Sequence, residues 1–116
     1  MNVNLKLIIL HIELQTMSSG CLLDDENIIS RTLNDPGDNL SLVLRSLLTE
    51  YLEIRPEWVK FNLVDIIQTE NSLDIVYTCL IPSLLKNLKG QWIPIEKIND
   101  KQIKKLAYRA SQHQGY

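Results

Sequence analysis

The side chains able to do chemistry are few in this 116-residue chain, and carboxylates dominate them. Glu50 and Glu53 lie one helical turn apart in Gly37–Ile54, GDNLSLVLRSLLTEYLEI, and Asp38 lies at its start. Glu13, Asp24, Asp25, Glu26 and Asp65 are further acids that other elements can bring toward them. His11 and His113 are the only histidines, too few for a metal cluster or a histidine-based triad. His113 also falls near a C-terminus, where chains fray. Cys21 and Cys79 form no CxxC pair, so a reduced intracellular chain is the plain reading, with one disulfide left open. There is no GxGxxG, Walker loop, HExxH or Gly-x-Ser-x-Gly.

Two aromatic and basic features have a bland reading and a sharper one. Trp58 and Trp92 offer faces on which a nucleobase can stack, although tryptophans on amphipathic strands more often serve the core. Lys101, Lys104, Lys105 and Arg109 recur at helical spacing. A solvated helix face is the default; an anionic partner such as phosphate or RNA, with Lys97 extending the stripe, is the sharper alternative.

Composition bounds these readings. Net charge is -2, so no global field draws the chain to nucleic acid or to an anionic membrane. Hydrophobic residues make up 45% and charged residues 22%, as in an ordinary soluble globular protein. The length fits a single domain over 1–116 that buries a core without staples. Leu5–Leu14, LKLIILHIEL, is far short of a membrane span. His11 and Glu13 interrupt it, and it lacks the basic start and cleavage site of a signal peptide. A cytoplasmic protein with no membrane partner is expected.

The elements that must position these residues alternate between strand and helix. Val3–Leu14 reads as a central strand covered on both faces. In it, His11 is a strand residue with a satisfied ring. Met17–Gly20 is a turn, and Cys21–Leu23 with Asn27–Thr32 reads as a short hairpin around Asp24-Asp-Glu26. Asn34–Asp38 is dense in turn formers, and Asn39 or Ser41 caps the helix that follows. On that helix Leu40, Val43, Leu44, Leu47, Leu48 and Tyr51 share one side. Arg45, Ser46, Thr49, Glu50 and Glu53 share the other, with Leu42 a lone surface leucine among them. Glu50 is then a solvated residue paired with Arg45 or Arg55, worth about 0.2–1 kcal/mol.

Arg55-Pro56 ends the helix. Trp58–Gln68 and Leu73–Ile81 form an antiparallel hairpin around Glu70-Asn-Ser72. Pro82–Leu88 reads as a short helix closed by Gly90, and Gln91–Ile95 as another strand. Asp100 starts a last helix running to about Gln112.

This order of elements resembles the Nudix hydrolases, which cleave nucleoside diphosphates linked to another group. Gln91–Ile98, QWIPIEKI, is similar to the family's late strand, a tryptophan followed by hydrophobic-Pro-hydrophobic and an acidic turn. Leu73–Pro82 is similar to the strand before it. The family box runs Gly, five residues, Glu, seven residues, then Arg-Glu-hydrophobic-X-Glu-Glu-X-Gly-hydrophobic. Laid on this chain it spans Thr32–Ile54. Asp38 falls at the first glutamate, Glu50 at the first of the paired glutamates, and Leu48 and Ile54 at the hydrophobic positions. Thr32 replaces the first glycine, Ser46 the arginine, Leu47 the next glutamate, Tyr51 the second paired glutamate and Glu53 the last glycine.

The resemblance implies an α/β fold, a Nudix-like α/β/α sandwich with a mixed central sheet, carrying a degenerate box. It also implies what the missing acids would have done. Water attacks a pyrophosphate when a cation, normally Mg²⁺ bridging enzyme carboxylates and phosphate oxygens, neutralises the charge. Family glutamates at i, i+3 and i+4 hold that metal; here those positions are Leu47, Glu50 and Tyr51.

The expectation is therefore a Nudix-like domain without standard metal-dependent hydrolysis, acting by nucleotide or protein binding. One alternative is a divergent Mg²⁺-dependent pyrophosphohydrolase with Glu50 catalytic and Glu50 and Asp38 on the metal. Another is a structural or assembly module, for which a homodimer is the simplest form.

Overall fold

A computed structural model describes residues 2–13, 18–33, 39–81 and 87–112. The first strand, β1 (Asn2–Glu13), organises the sheet. Along its middle both parities are apolar, because successive side chains face opposite sides and both sides are covered. Leu5, Leu7 and Ile9 enter one core, and Ile8 and Leu10 enter the other. The expected central strand is present.

On one edge, β1 pairs in parallel with β5 (Ser72–Ile81), from Asn2↔Ser72 to His11↔Ile81. β5 pairs antiparallel with β4 (Asn62–Gln68), the expected hairpin, with a register shift between Leu63 and Asp65. On its other edge, β1 pairs antiparallel with β2 (Ser18–Leu23) and with β3 (Ile29–Leu33). β6 (Gln91–Pro94) adds to β2, giving the order β4-β5-β1-β2-β6 with β3 beside β1. The sheet is mixed, as expected.

The hairpin expected over 21–32 is corrected. β2 and β3 both lie on β1, where residues 9–13 and 3–7 offer two consecutive stretches of edge. Only Asp24 and Asn27 bridge each other, through reciprocal backbone hydrogen bonds of 2.9 Å. Asp25 and Glu26 make that turn with φ of 49° and 65°, the left-handed pair a two-residue turn requires.

One helix packs on each face. Asn39 caps α1 (Leu40–Tyr51), its Oδ1 accepting from the amides of Ser41 at 3.0 Å and Leu42 at 3.4 Å. Leu44, Leu47, Leu48 and Tyr51 are buried against Leu7, Ile9 and Leu22, and Leu42 is exposed, as the periodicity predicts. Asp100 caps α2 (Lys101–Gln112) in the same way, and Ala107 and Ala110 press onto Ile8, Leu10 and Val76. Cys21 and Cys79 belong to these two different cores and are free, which closes the disulfide option.

Three boundaries move. Ser18–Gly20, expected as part of a turn, belong to β2, because they pair with residues 11–13 of β1. α1 ends at Tyr51 rather than at Arg55-Pro56, because Leu52 turns extended and bridges Asn87. The strand expected from Trp58 begins at Asn62, since Pro56–Trp58 forms a 3-10 turn. The helix expected at Pro82–Leu88 falls mainly on residues 82–86, outside the described residues, as do Gly37, Asp38 and His113. Among the described residues no helix is long and apolar enough to cross a membrane.

Candidate functional site

Glu50 lies on the solvent side of the last turn of α1, where the box alignment places it. Its carboxylate is engaged by two cations. Arg31 Nη2, from β3, donates to Oε2 at 3.0 Å, while Nη1 donates to Ser46 Oγ at 3.1 Å. Lys89 Nζ donates to the other oxygen, Oε1, at 3.3 Å. The pairings with Arg45 or Arg55 expected from sequence do not form. Arg45 is five residues before Glu50 and points elsewhere around the helix, and Arg55 lies beyond the helix end with its guanidinium 5.2 Å from the Trp58 ring centroid.

Lys89 also reaches Asp24. Its Nζ is 3.8 Å from Asp24 Oδ2 and 5.2 Å from the centre of the Tyr51 ring. Tyr51 in turn donates its hydroxyl to Asp24 Oδ2 at 2.5 Å. One ammonium thus stands among two carboxylates and the face of a phenol, the setting a bound cation would otherwise occupy. Leu47 and Tyr51, the residues at the two box positions where acids are missing, are both buried.

Local backbone explains how Lys89 gets there. Gly90 adopts φ +82°, and Asn87 Nδ2 donates to its carbonyl at 2.5 Å. The Leu88 amide donates to the Tyr51 carbonyl at 2.7 Å, so the 87–90 turn is fastened to the C-terminal end of α1. Sequence reasoning missed Arg31 and Lys89, because they come from a strand and a turn and carry no helical spacing. The one available signal was the glycine that follows Lys89.

The other candidate residues fall into place separately. Asp25 and Glu26 line a different cavity of about 400 Å³ with Lys97 and Asp100, away from Glu50. Asp65 accepts from Arg109 at 2.9 Å and from the Ile66 amide at 2.8 Å. Lys104 Nζ donates to the Glu96 carbonyl at 2.9 Å, while Lys101 and Lys105 are exposed, so the basic stripe is mainly a solvated face. His11 Nδ1 lies 3.2 Å from the Ile81 carbonyl, the satisfied ring expected, and the Trp92 ring stands edge-on 6.1 Å away. Trp92 packs partly buried against the α1 face. Trp58 departs from expectation: it is 76% exposed, because the 3-10 turn takes it out of the strand alternation.

Burial pushes the Cys21 thiol up to about 12 and raises that of Cys79 further. Burial, followed by the hydrogen bond to Asp24, also raises the Tyr51 phenol. Raised values mean that the folded state keeps these protons while the unfolded chain releases them. For the two thiols this contribution is full below their ordinary value of about 8.5 and is lost as pH rises above it, at up to about 1.4 kcal/mol per pH unit and thiol; that of the phenol is lost only above its own ordinary value of about 10. Urea denaturation is expected to show stability falling steadily from pH 8.5 upward, and Cys21→Ala with Cys79→Ala to flatten that fall. An unchanged slope in the double variant would contradict the burial of these thiols.

A mixed sheet with one helix on each face, and a β1 paired in parallel with β5, is a Nudix-like fold. Solved structures share it. The Nudix domain of Shewanella oneidensis NrtR, solved with ADP ribose, matches with TM-score 0.65 and 12% identity over 91% of this chain and 85% of its own. The C-terminal domain of mouse MUTYH, solved with human PCNA, matches with TM-score 0.68 and 12% identity over 97% and 89%. A C. elegans Ap4A hydrolase in a binary complex matches with TM-score 0.59 and 14% identity over 97% and 96%. No family model matches the sequence, and no curated protein matches it. The likeness is one of fold.

Proposed function

We propose that this chain is a Nudix-like domain with a degenerate box, one that binds a nucleotide or a protein partner and does not carry out metal-dependent pyrophosphate hydrolysis. The observation that supports this most strongly is the ammonium of Lys89 on Glu50 and Asp24. Mg²⁺ requires near-octahedral oxygen coordination built on carboxylates. Here the helix supplies one carboxylate, with both oxygens already accepting from cations. Among the described residues no three His, Cys, Asp or Glu side chains are grouped as a metal site. Among the described residues the donor set does not fit the ion. The competing reading, with Glu50 catalytic and Mg²⁺ on Glu50 and Asp38, requires Lys89 to leave.

Both ligand classes have a counterpart among the structures of this fold. The NrtR domain was solved with ADP ribose and the MUTYH domain with PCNA. Two buried free thiols support a reducing compartment such as the cytoplasm. A thermal-shift screen of nucleotides, ADP-ribose included, with and without Mg²⁺ or Mn²⁺, tests the nucleotide arm. A shift of equal size with and without metal is expected. A shift seen only when metal is present would overturn the reading, and no shift with any nucleotide would leave the protein arm alone.

A further inference from the structure

The outer face of α2 is basic and carries no acid. At about 100° per residue, Lys101, Lys104, Lys105, Tyr108, Arg109 and Gln112 gather on one side of the helix. Ile103, Ala107 and Ala110 occupy the opposite side and pack on the sheet. All four cations belong to this one helix, in a chain whose net charge is -2.

That face is costly to the chain on its own. Lys101 precedes Lys104 and Lys105 by three and four residues, and Lys105 precedes Arg109 by four. Each such like-charge pair destabilises a helix by about 0.2–0.5 kcal/mol. Lys101 also lies in the first turn, where the positive end of the helix dipole repels it. Little within the chain offsets this. Asp100, the acid next to Lys101 in sequence, is turned onto the amides of Gln102 and Ile103. Arg109 pairs with Asp65 at 2.9 Å, and Lys104 Nζ donates to the Glu96 carbonyl at 2.9 Å. Among the described residues neither Lys101 nor Lys105 has an ion pair, and both are exposed.

A polyanion laid along this face relieves the repulsion, and Tyr108 selects its kind. Lys101 and Lys105 are one turn apart, about 6 Å along the axis, and can hold two phosphates of one strand. Tyr108 follows on the same face and is 46% exposed. A phenol ring stacks on an unpaired base, an interaction worth about 1–3 kcal/mol. The carboxylates of an acidic peptide have no such flat face to lay on it. The net charge of the chain does not oppose the contact, because exposed charges more than about 8 Å away are largely screened at physiological ionic strength.

We propose that the outer face of α2 binds single-stranded nucleic acid, with Lys101 and Lys105 on phosphates, Lys104 beside them and Tyr108 stacked on a base. α2 and α1 lie on opposite faces of the sheet, so this surface is separate from the Glu50–Lys89 cluster and goes beyond the ligand reading given for that cluster.

Fluorescence anisotropy of a fluorescein-labelled oligothymidylate, titrated with the chain at rising salt, tests this. Binding at low salt is expected, with log K falling against log salt at a slope of about -1.4 to -2.8, as for roughly two to four phosphate contacts. Lys101→Gln with Lys105→Gln is expected to weaken binding by about tenfold or more and to flatten the slope by about 1.4. Tyr108→Ala is expected to weaken it about tenfold with the slope unchanged, and Tyr108→Phe to bind as the wild type does. All three positions are exposed, and circular dichroism melts check that the variants fold. No binding at low salt overturns the proposal. Binding that the double lysine variant leaves unchanged overturns it too, because the contact then lies elsewhere. A polyglutamate peptide of equal charge that competes as well as unlabelled oligothymidylate, with Tyr108→Ala without effect, gives the face to acidic proteins and also overturns it.

Discussion

Leu48→Ala is expected to remove about 2–5 kcal/mol of stability, a large share of the roughly 5–15 kcal/mol that holds a domain of this size together. Leu48 is fully buried where α1 meets the sheet, among Leu44, Leu47, Leu5 and Leu7. Its replacement deletes three carbons from a layer that strands on one side and a helix on the other hold rigid, so the hole cannot collapse. Leu42 on the same helix is 61% exposed, and Leu42→Ala is expected to stay within about 0.5 kcal/mol. Urea denaturation of the two variants checks the orientation of α1. Equal losses in both would mean that the helix is rotated from the face described.

Gly90→Ala is expected to rank next, with a loss of about 1–3 kcal/mol from backbone strain alone. Gly90 has φ +82°, and an added Cβ would lie 2.8 Å from the Leu23 carbonyl oxygen, a backbone atom that cannot swing aside. The damage spreads to the ion-pair cluster, because the same turn delivers Lys89 to Glu50 and Asp24. Gly20→Ala is the matched control. Its Cβ would come no closer than 3.9 Å to the His11 carbonyl and the Trp92 ring, an ordinary contact, and alanine suits a strand interior better than glycine. Thermal unfolding is expected to show a clear drop for Gly90→Ala and none for Gly20→Ala. A tolerated Gly90→Ala would contradict the left-handed turn.

Much of the frame was legible because it rests on periodicity. The double-sided apolar run of β1, the amphipathic face of α1, the Asn39 and Asp100 caps and the β4–β5 hairpin all follow from local patterns. Pairing partners did not, since β2 and β3 both take the free edge of β1, a long-range choice that no local window contains. Trp58 misled because the proline two residues before it converts a strand start into a 3-10 turn. The site was half legible. Alignment to the box singled out Glu50, Leu47 and Tyr51, but Arg31 and Lys89 approach from 19 and 39 residues away in sequence and only folding assembles them.

Those two cations carry the central claim, that Glu50 serves a fixed ion-pair network rather than a metal. The most direct measurement is turnover by pure protein of a panel of nucleoside diphosphate-X substrates, in Mg²⁺ and in Mn²⁺, beside Glu50→Gln. Indistinguishable rates for the two proteins, both at the level of buffer, are the expected result. Turnover by the wild-type chain that disappears in Glu50→Gln would contradict it and would make this Nudix-like fold a divergent hydrolase.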